Sequence, residues 1–358
     1  MNAYKVIGIM SGTSLDGLDI ALCEFKNEKG KWNYTITKAE TLEYSAERRT
    51  ELNGLLYSTA EQLACADMDF GYYIGKVAKA FLKENNLEAD FIASHGHTIF
   101  HQPARGFTYQ IGSGAAITAA SGLPVVSDFR SVDVGLGGQG APLVPIGDQL
   151  LFNEFDFCLN LGGIANISFD KSGKRIAFDC CPVNIVMNEL ANEKGLEYDK
   201  DGLLARKGTV NNELLGQLNA LAYYKQPFPK SLGKEWIDKE VFPIINSFAS
   251  SATEDKLATV CTHIAEQLGS ITSGKKGKLL ATGGGAFNSF LIEKIKEASP
   301  TVTVVVPEKN IVAFKEALVF AFLGILRVRN EVNCLSSVTG ALSDSIGGAL
   351  YGNFSQLL

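Results

Sequence analysis

The chain has 358 residues, 46% of them hydrophobic, and a formal net charge of −6, enough for roughly two domains with substantial cores. Its basic residues are scattered, which argues against a nucleic-acid partner or a polybasic membrane patch. Seven cysteines without a C-x-x-C pair fit a reduced, cytoplasmic setting; no secretory signal pattern opens the chain, and the longest apolar run, Ala317 to Leu326, is too short to span a bilayer.

Two β-type apolar runs, Tyr4 to Ile9 and Leu18 to Phe25, are joined through the turn Ser11-Gly12-Thr13-Ser14-Leu15-Asp16-Gly17. This predicts a hairpin whose tip offers unpaired backbone N–H groups. Glycines admit close approach of a ligand and hydroxyls donate to anionic oxygens. Asp16 and Asp19 are suited to hold Mg²⁺ through its water shell. The tip reads as a phosphate and metal cradle, the alternative being an ordinary tight turn with solvated polar residues. It is not a Walker A loop, because Leu18-Asp19 stands where Lys-Ser/Thr is required.

Phe91-Ile92-Ala93 is predicted as a strand entering Ser94-His95-Gly96-His97-Thr98. His95, His97 and His101 form an H-x-H-x3-H cluster in which a regular strand would put the first two on one face. Zinc needs further ligands that the neighbourhood lacks. A second strand, Val125-Val126, enters Asp128-Phe129-Arg130, just before the flexible run Gly135-Leu136-Gly137-Gly138-Gln139-Gly140. Arg130 can clamp a carboxylate with a two-pronged hydrogen bond, or form a surface ion pair.

Phe155 to Asp170 echoes the opening: an apolar strand, a glycine tip at Gly162-Gly163-Ile164-Ala165-Asn166, and a second strand. The echo points to two related domains, with two unrelated turns as the alternative. Asp179 ends the apolar run Ile176-Ala177-Phe178 and is either a general base or the N-cap of a helix over Pro182 to Leu190. The vicinal Cys180-Cys181 pair fits packing better than redox chemistry. A capping box, Ser251-Ala252-Thr253-Glu254, opens a helix carrying Leu257, Val260, Ile264 and Leu268 on one face. Lys278 to Ala281 reads as a strand, followed by Thr282-Gly283-Gly284-Gly285-Ala286-Phe287-Asn288 and a helix through Leu291, Ile295 and Ala298. Without G-x-G-x-x-G this turn argues against a dinucleotide fold. Strands, glycine turns and helices alternate throughout, which is the α/β class.

These motifs carry a resemblance. The first hairpin, Ser94 to Thr98, Asp128 to Pro145, Leu159 to Ile167, Pro229-Lys230-Ser231, Thr282 to Asn288 and Lys315-Glu316-Ala317 together resemble the anhydro-N-acetylmuramic acid kinases, relatives of sugar kinases, heat-shock chaperone ATPases and actin. The resemblance implies two duplicated actin-like (ribonuclease H-like) domains with a nucleotide and substrate cleft between them. By analogy the first covers 1–129 plus 335–358 and the second 130–334. It implies ATP contacts from Gly12, Thr13, Ser14, Leu15, Asp16, Gly17, Leu18 and Asp19, from Asn160, Gly162, Gly163 and Asn166, and from an adenosine segment with Gly283, Gly284, Gly285 and Asn288. Asp16 would hold Mg²⁺, Asp179 would be the catalytic base, and Thr98, Arg130 and Glu316 would contact the sugar.

The implied activity is ATP-dependent, hydrolytic opening of 1,6-anhydro-N-acetylmuramic acid with phosphorylation of O6, in cell-wall recycling, by a cytoplasmic homodimer. The chain departs from the family pattern in two places near the base and the sugar. Asp-Thr-Gly-Pro-Gly-Asn becomes Asp179-Cys180-Cys181-Pro182-Val183-Asn184, and the aspartate three residues before Glu316 is Ala313. In addition, His97 replaces a glutamine. These departures keep two alternatives open: a kinase for a different anhydro or amino sugar, and a catalytically silent nucleotide-dependent sugar sensor.

Overall fold

The computed structural model describes residues 3–12 and 15–357, so Thr13 and Ser14 of the first tip lie outside the described residues. The chain divides into two compact units, Met1–Leu151 with Phe314–Leu358, and Phe152–Ala313.

The sheet of the first unit is built on β1 (Ala3–Ser11), β2 (Gly17–Glu28), β3 (Lys31–Glu43), β4 (Phe91–Gln102), β5 (Phe107–Ile111) and β6 (Val125–Ser127). That of the second contains β7 (Phe157–Leu161), β8 (Ile164–Lys171), β9 (Lys174–Pro182), β10 (Gly277–Thr282) and β11 (Val302–Val305). A short strand near the C-terminus, β12 (Ala349–Tyr351), closes the edge of the first sheet beside β6.

Both sheets follow one plan. In the first, β1, β2 and β3 form an antiparallel meander, β4 runs parallel to β1, and β6 runs parallel to β4. In the second, β7, β8 and β9 form the meander, β10 runs parallel to β7, and β11 parallel to β10. Setting aside β5, which pairs antiparallel with β4 off the main path, and the edge strand β12, the strand order third-second-first-fourth-fifth therefore occurs twice. Parallel strands require a crossover, whereas a hairpin needs only a turn, so the two glycine-tipped hairpins open the two halves of a duplicated α/β fold. The echo between the chain's start and Phe155–Asp170 is borne out.

The central strand of the first unit, β1, buries Val6, Ile7 and Ile9 completely, as expected of a strand covered on both faces. Its Gly8 leaves no room for a side chain, because a Cβ there would overlap the carbonyl of Ala317 in the helix Lys309–Val328. The apolar run Ala317–Leu326 is thus a core helix segment, and among the described residues no helix is long and apolar enough to cross a membrane.

The division between units differs from the sequence expectation. Residues 130–151 and 314–334 belong with the first unit. Long-range polar bonds hold them there. Buried Asp133 accepts from Thr339 Oγ1 at 2.7 Å and from Cys334 Sγ at 3.1 Å, the Gln139 N–H donates to the Thr339 carbonyl at 2.9 Å, and Lys315 pairs with Asp148 at 2.6 Å with both side chains buried.

In the second unit, the helix Thr253–Thr272 buries Leu257, Val260, Ile264 and Leu268 as its periodicity predicts. The capping box does not form. Ala252 is the N-cap, and the Thr253 hydroxyl donates instead to Glu193 at 2.8 Å, beside the Lys256 ammonium. On the same helix, buried His263 donates through Nδ1 to Asn219 Oδ1 at 2.7 Å and accepts through Nε2 from the Tyr224 hydroxyl at 2.9 Å. Acceptance at Nε2 needs the neutral ring, and burial lowers its pKa to about 4.

An unfolded histidine titrates near 6.5, so on acidification the unfolded chain binds this proton first. The stabilisation is complete above about pH 6.5 and declines towards about pH 4, by up to about 3 kcal/mol. Urea unfolding of the wild type and of His263→Gln between pH 7 and 4 should show the stability gap narrowing by that order. A gap independent of pH would refute the buried neutral ring.

Candidate active site

In the first unit, β1 and β2 pair up to Ser11 and Leu18. The tip then turns at Leu15, in the left-handed region at φ 59°, with its N–H donating to the Gly12 carbonyl at 3.3 Å. The side chains of Leu15 and Leu18 are buried in the core, which leaves their backbone as the part able to meet a ligand. Asp16 is exposed and Asp19 half-buried. Gly17 packs closely on β3, where a Cβ would lie 2.5 Å from the Leu42 carbonyl oxygen.

Asp19 accepts from the Thr41 hydroxyl at 2.6 Å. Burial raises its pKa, Thr41 lowers it, and Asp16 raises it further. Glu316 is also raised, by burial first and then by Asp19, with Arg130 and Lys315 acting in the opposite sense. Arg130 and Glu316 therefore belong to one charged neighbourhood that also includes Asp19.

Arg130 is not a surface arginine. Its Nε donates to His95 Nε2 at 2.9 Å, while one terminal nitrogen donates to the Gly140 carbonyl. Burial lowers its pKa to about 10, which leaves it charged at neutral pH. His95 donates through Nδ1 to the Gly96 carbonyl at 2.9 Å, so both of its nitrogens are used as a neutral ring. The glycine run expected to be flexible is pinned, since Asp133 also accepts from the Gly140 N–H at 2.7 Å. Gly140 sits at φ 67° and Gly137 at φ 80°, where glycine is needed.

The histidine cluster does not converge. Ile9 pairs with Ser94 but Ser11 with His97, so β4 bulges by one residue between them, and Gly96 lies at φ 73°. The bulge ends the alternation that would align His95 with His97. His95 meets Arg130, His97 meets Ser11, and His101 meets Thr108 at 3.2 Å. Among the described residues no His, Cys, Asp or Glu group could hold a metal ion by itself. Thr98 accepts from Gln110 Nε2 at 3.3 Å and borders a small cavity with His97.

In the second unit, strand register builds a polar row. Asn160 on β7 faces Asn166 on β8, which faces Asp179 on β9. Directly paired residues of neighbouring strands project on the same face, so the three predicted residues are brought together. The ladder shifts between Ala165 and Asn166, leaving Cys180 as the extra residue. Gly283 (φ 81°) packs against the row, since a Cβ there would strike Asn160 Oδ1. Gly285 packs on Leu161. Asn288 is the N-cap of the helix Ser289–Ala298, its Oδ1 accepting from the Leu291 N–H at 3.0 Å.

Asp179 is a strand residue, not a helix cap: the helix Asn184–Asn192 has Val183 at its N-cap, with no side-chain cap bond. One carboxylate oxygen, Oδ2, accepts from the Leu232 N–H at 2.9 Å. The Asp179 backbone is held on both sides, its N–H donating to the Lys230 carbonyl at 3.1 Å and its carbonyl accepting from the Tyr223 hydroxyl at 2.7 Å. Burial raises its pKa and the Leu232 N–H opposes the rise. Tyr223, Lys230 and Leu232 were not assigned roles from sequence. Pro229-Lys230-Ser231 marked the segment, but a partner some fifty residues away has no periodic signal.

The tip Gly162-Gly163 is tied to the loop after Asp179. The Val183 N–H donates to the Gly163 carbonyl at 2.8 Å, and Asn184 Nδ2 donates to the Leu161 carbonyl at 3.1 Å. Cys180 and Cys181 are free and buried, as is Val183. Packing is therefore the role of the cysteine pair.

The model of the anhydro-N-acetylmuramic acid kinase family matches residues 4–353. The protein of that name from Pseudomonas fluorescens (strain Pf0-1) is 36% identical over 366 residues, covering 97% of this chain and 99% of its own. The Vibrio cholerae (serotype O1) protein of that name is 34% identical over 373 residues, with coverages of 96% and 97%. The one from Sulfurimonas denitrificans is 32% identical over 367 residues, with coverages of 96% and 98%.

The packing of the base loop generates a stability prediction. Cys181→Gly with Val183→Gly, which restores the family's glycines, empties two core positions and should cost about 3–6 kcal/mol. A thermal melt within a degree of wild type would show that the loop relaxes to fill the space.

Proposed function

Since the chain belongs to the anhydro-N-acetylmuramic acid kinase family, we propose that it uses ATP to open 1,6-anhydro-N-acetylmuramic acid and phosphorylate O6. The observation that carries this reading is Asp179, half-buried in the polar row with Oδ2 fixed by Leu232 and Oδ1 left to work.

Asp179 takes a proton from water, the water oxygen bonds to the anomeric carbon, and the bond from that carbon to O6 breaks. Departing O6 takes the γ-phosphoryl group of ATP, and ADP leaves. The sugar becomes N-acetylmuramic acid 6-phosphate with one water added, and no separate general acid is required because phosphorus replaces the proton on O6. The raised basicity of Asp179 suits proton acceptance, and its role is that of the base carboxylate in an inverting glycosidase.

Arg130, held flat by His95 and Gly140, is suited to the lactyl carboxylate, for which a planar fork is specific. Glu316 and Thr98 accept and donate to sugar hydroxyls. Gly12, Asp16, Gly17 and Asp19, with the backbones of Leu15 and Leu18, serve the phosphates. Asn160, Gly162, Gly163 and Asn166 do so in the second unit, where Gly283, Gly284, Gly285 and Asn288 serve adenosine. The exposed Asp16 and half-buried Asp19 are hard oxygen donors that fit water-bridged Mg²⁺, which offsets phosphate charge when bound. The reading includes a cytoplasmic homodimer, on family likeness.

A ligand that binds only the folded state raises the melting temperature. ATP with Mg²⁺ should do so in the wild type and do so far less in Asp16→Ala; an equal shift in the two would remove Asp16 from the phosphate site.

Asp179→Asn retains shape and the Leu232 bond but cannot accept a proton. Sugar-dependent ADP release in a coupled assay should fall by at least about 10²–10⁴-fold while the ATP-induced melting shift survives. A near-wild-type rate would overturn the base assignment. A wild type that binds nucleotide yet never turns over the sugar would instead mark a sensor.

A further inference from the structure

Asp133 has no part in the reaction described above, yet it is only 1% exposed, a depth at which a carboxylate persists only among donors. Three donors surround it. Oδ1 accepts from the Thr339 hydroxyl at 2.7 Å and from the Cys334 thiol at 3.1 Å, and Oδ2 accepts from the Gly140 N–H at 2.7 Å. The one hydroxyl proton of Thr339 goes to Asp133, since the Leu335 carbonyl is farther away at 3.3 Å. Cys334 remains a thiol, because burial and then the bond to Asp133 raise its pKa.

The same carboxylate shapes the glycine loop beside it. A Cβ at Gly138 would strike Asp133 Oδ2, and one at Gly140 would lie 2.7 Å from Val134 Cγ2. From the other side, the Gln139 N–H donates to the Thr339 carbonyl at 2.9 Å, and the Leu342 N–H donates to the Leu136 carbonyl at 3.0 Å. The loop is thus held between Asp133 and the segment Cys334 to Leu342. Its last residue, Gly140, has its N–H on Asp133 and its carbonyl on Arg130 Nη1. With Nε spent on His95, Arg130 keeps Nη2 without a partner among the described residues, a donor left for a ligand oxygen. The guanidinium is planar and rigid, so a displacement of Gly140 turns the whole fork.

We propose that Asp133 is the positioning residue of Arg130: through Gly140 it sets the guanidinium for the carboxylate of an acidic sugar, and Thr339 and Cys334 set Asp133. Recognition of that carboxylate then depends on side chains some two hundred residues beyond Asp133 in the chain. The inference rests on the proposed pairing of Arg130 with the lactyl carboxylate and adds what holds the arginine in place.

The test compares 1,6-anhydro-N-acetylmuramic acid with 1,6-anhydro-N-acetylglucosamine, the same sugar without the lactyl group. Affinity is read as KM in the coupled ADP assay and as Kd from melting shifts. Asp133→Asn turns one acceptor into a donor, so Gly140 or the Thr339 and Cys334 pair loses its acceptor. It should weaken the acidic sugar about 10-fold or more and leave the neutral sugar within about 2-fold. Thr339→Val, which deletes one donor at constant shape, should move the ratio the same way by less, and Thr339→Ser should keep it at the wild-type value. Adding Asp133→Asn to Arg130→Lys should change the ratio no further, since Asp133 acts only through Arg130. The melting shift with ATP should stay at wild-type size in every variant. Equal weakening of both sugars, a ratio unmoved in both Asp133→Asn and Thr339→Val, or full additivity in the double variant overturns the inference. If Asp133→Asn does not fold, the two Thr339 variants decide. A wild type that turns over neither sugar sinks the proposed reaction, while the Kd ratio still judges the positioning; a wild type that binds both sugars equally, or neither, sinks the positioning.

Discussion

Backbone touches backbone where β1 passes under the helix Lys309–Val328, and Gly8 makes that approach possible. Side chains normally hold a helix well off a sheet, but here the missing Cβ lets Ala317 rest directly on the central strand. Glu316 is the neighbour of that contact, and its electrostatic partners are Asp19, Arg130 and Lys315. The charged residues of the first unit are thus placed by an apolar fact. Burial and then Asp19 raise the pKa of Glu316, and Arg130 offsets part of that rise. Arg130 is in turn fixed through Gly140, whose N–H and carbonyl are both taken.

The second unit solves a similar problem with register rather than close approach. Pairing across β7, β8 and β9 sets Asn160, Asn166 and Asp179 in line. The segment from Tyr223 to Leu232 then holds the last of them by its backbone and by one carboxylate oxygen. Lys230 stands with its ammonium 4.5 Å from the centre of the Tyr223 ring and donates to the Tyr223 carbonyl, so it stiffens the segment and does not pair with Asp179. Among the described residues the carboxylate has no salt bridge, consistent with its raised pKa.

The features legible from sequence are those written within a few residues. Both hairpins, the strand–glycine–helix turn at Gly283 and the buried face of Thr253–Thr272 depend on local patterns of glycine and apolar spacing. Features that depend on distant partners were not legible. Asp133 meets Cys334 and Thr339 some two hundred residues away, which moved the expected unit boundary. The box expected at Ser251 and Glu254 gave way to a helix that starts at Thr253 with Ala252 as its N-cap, where the Thr253 hydroxyl and the Lys256 ammonium meet Glu193. The bulge at His95 and Gly96 likewise arises from pairing with β1, and it undid an alternation that the sequence alone appeared to promise. Asp179 shows both sides: its type and place at a strand end were readable, whereas the bonds that exclude a capping role were not.

The extra residue in β9 has a consequence for how this loop can change. Cys180 takes up one position without a partner on β8, so Asp179 and Cys181 stand on opposite sides of a phase slip in the ladder. Side-chain direction along a strand depends on parity. Exchanging residues within 180–183 alters volume and packing, and this chain tolerates cysteine and valine where its relatives' pattern has threonine and glycine. Losing or gaining a residue there would instead invert the phase, turning the core-facing side chains outward or carrying Asp179 out of line with Asn166. The segment is free in composition and fixed in length, so across related chains its alignment should remain gap-free even where identity is lost.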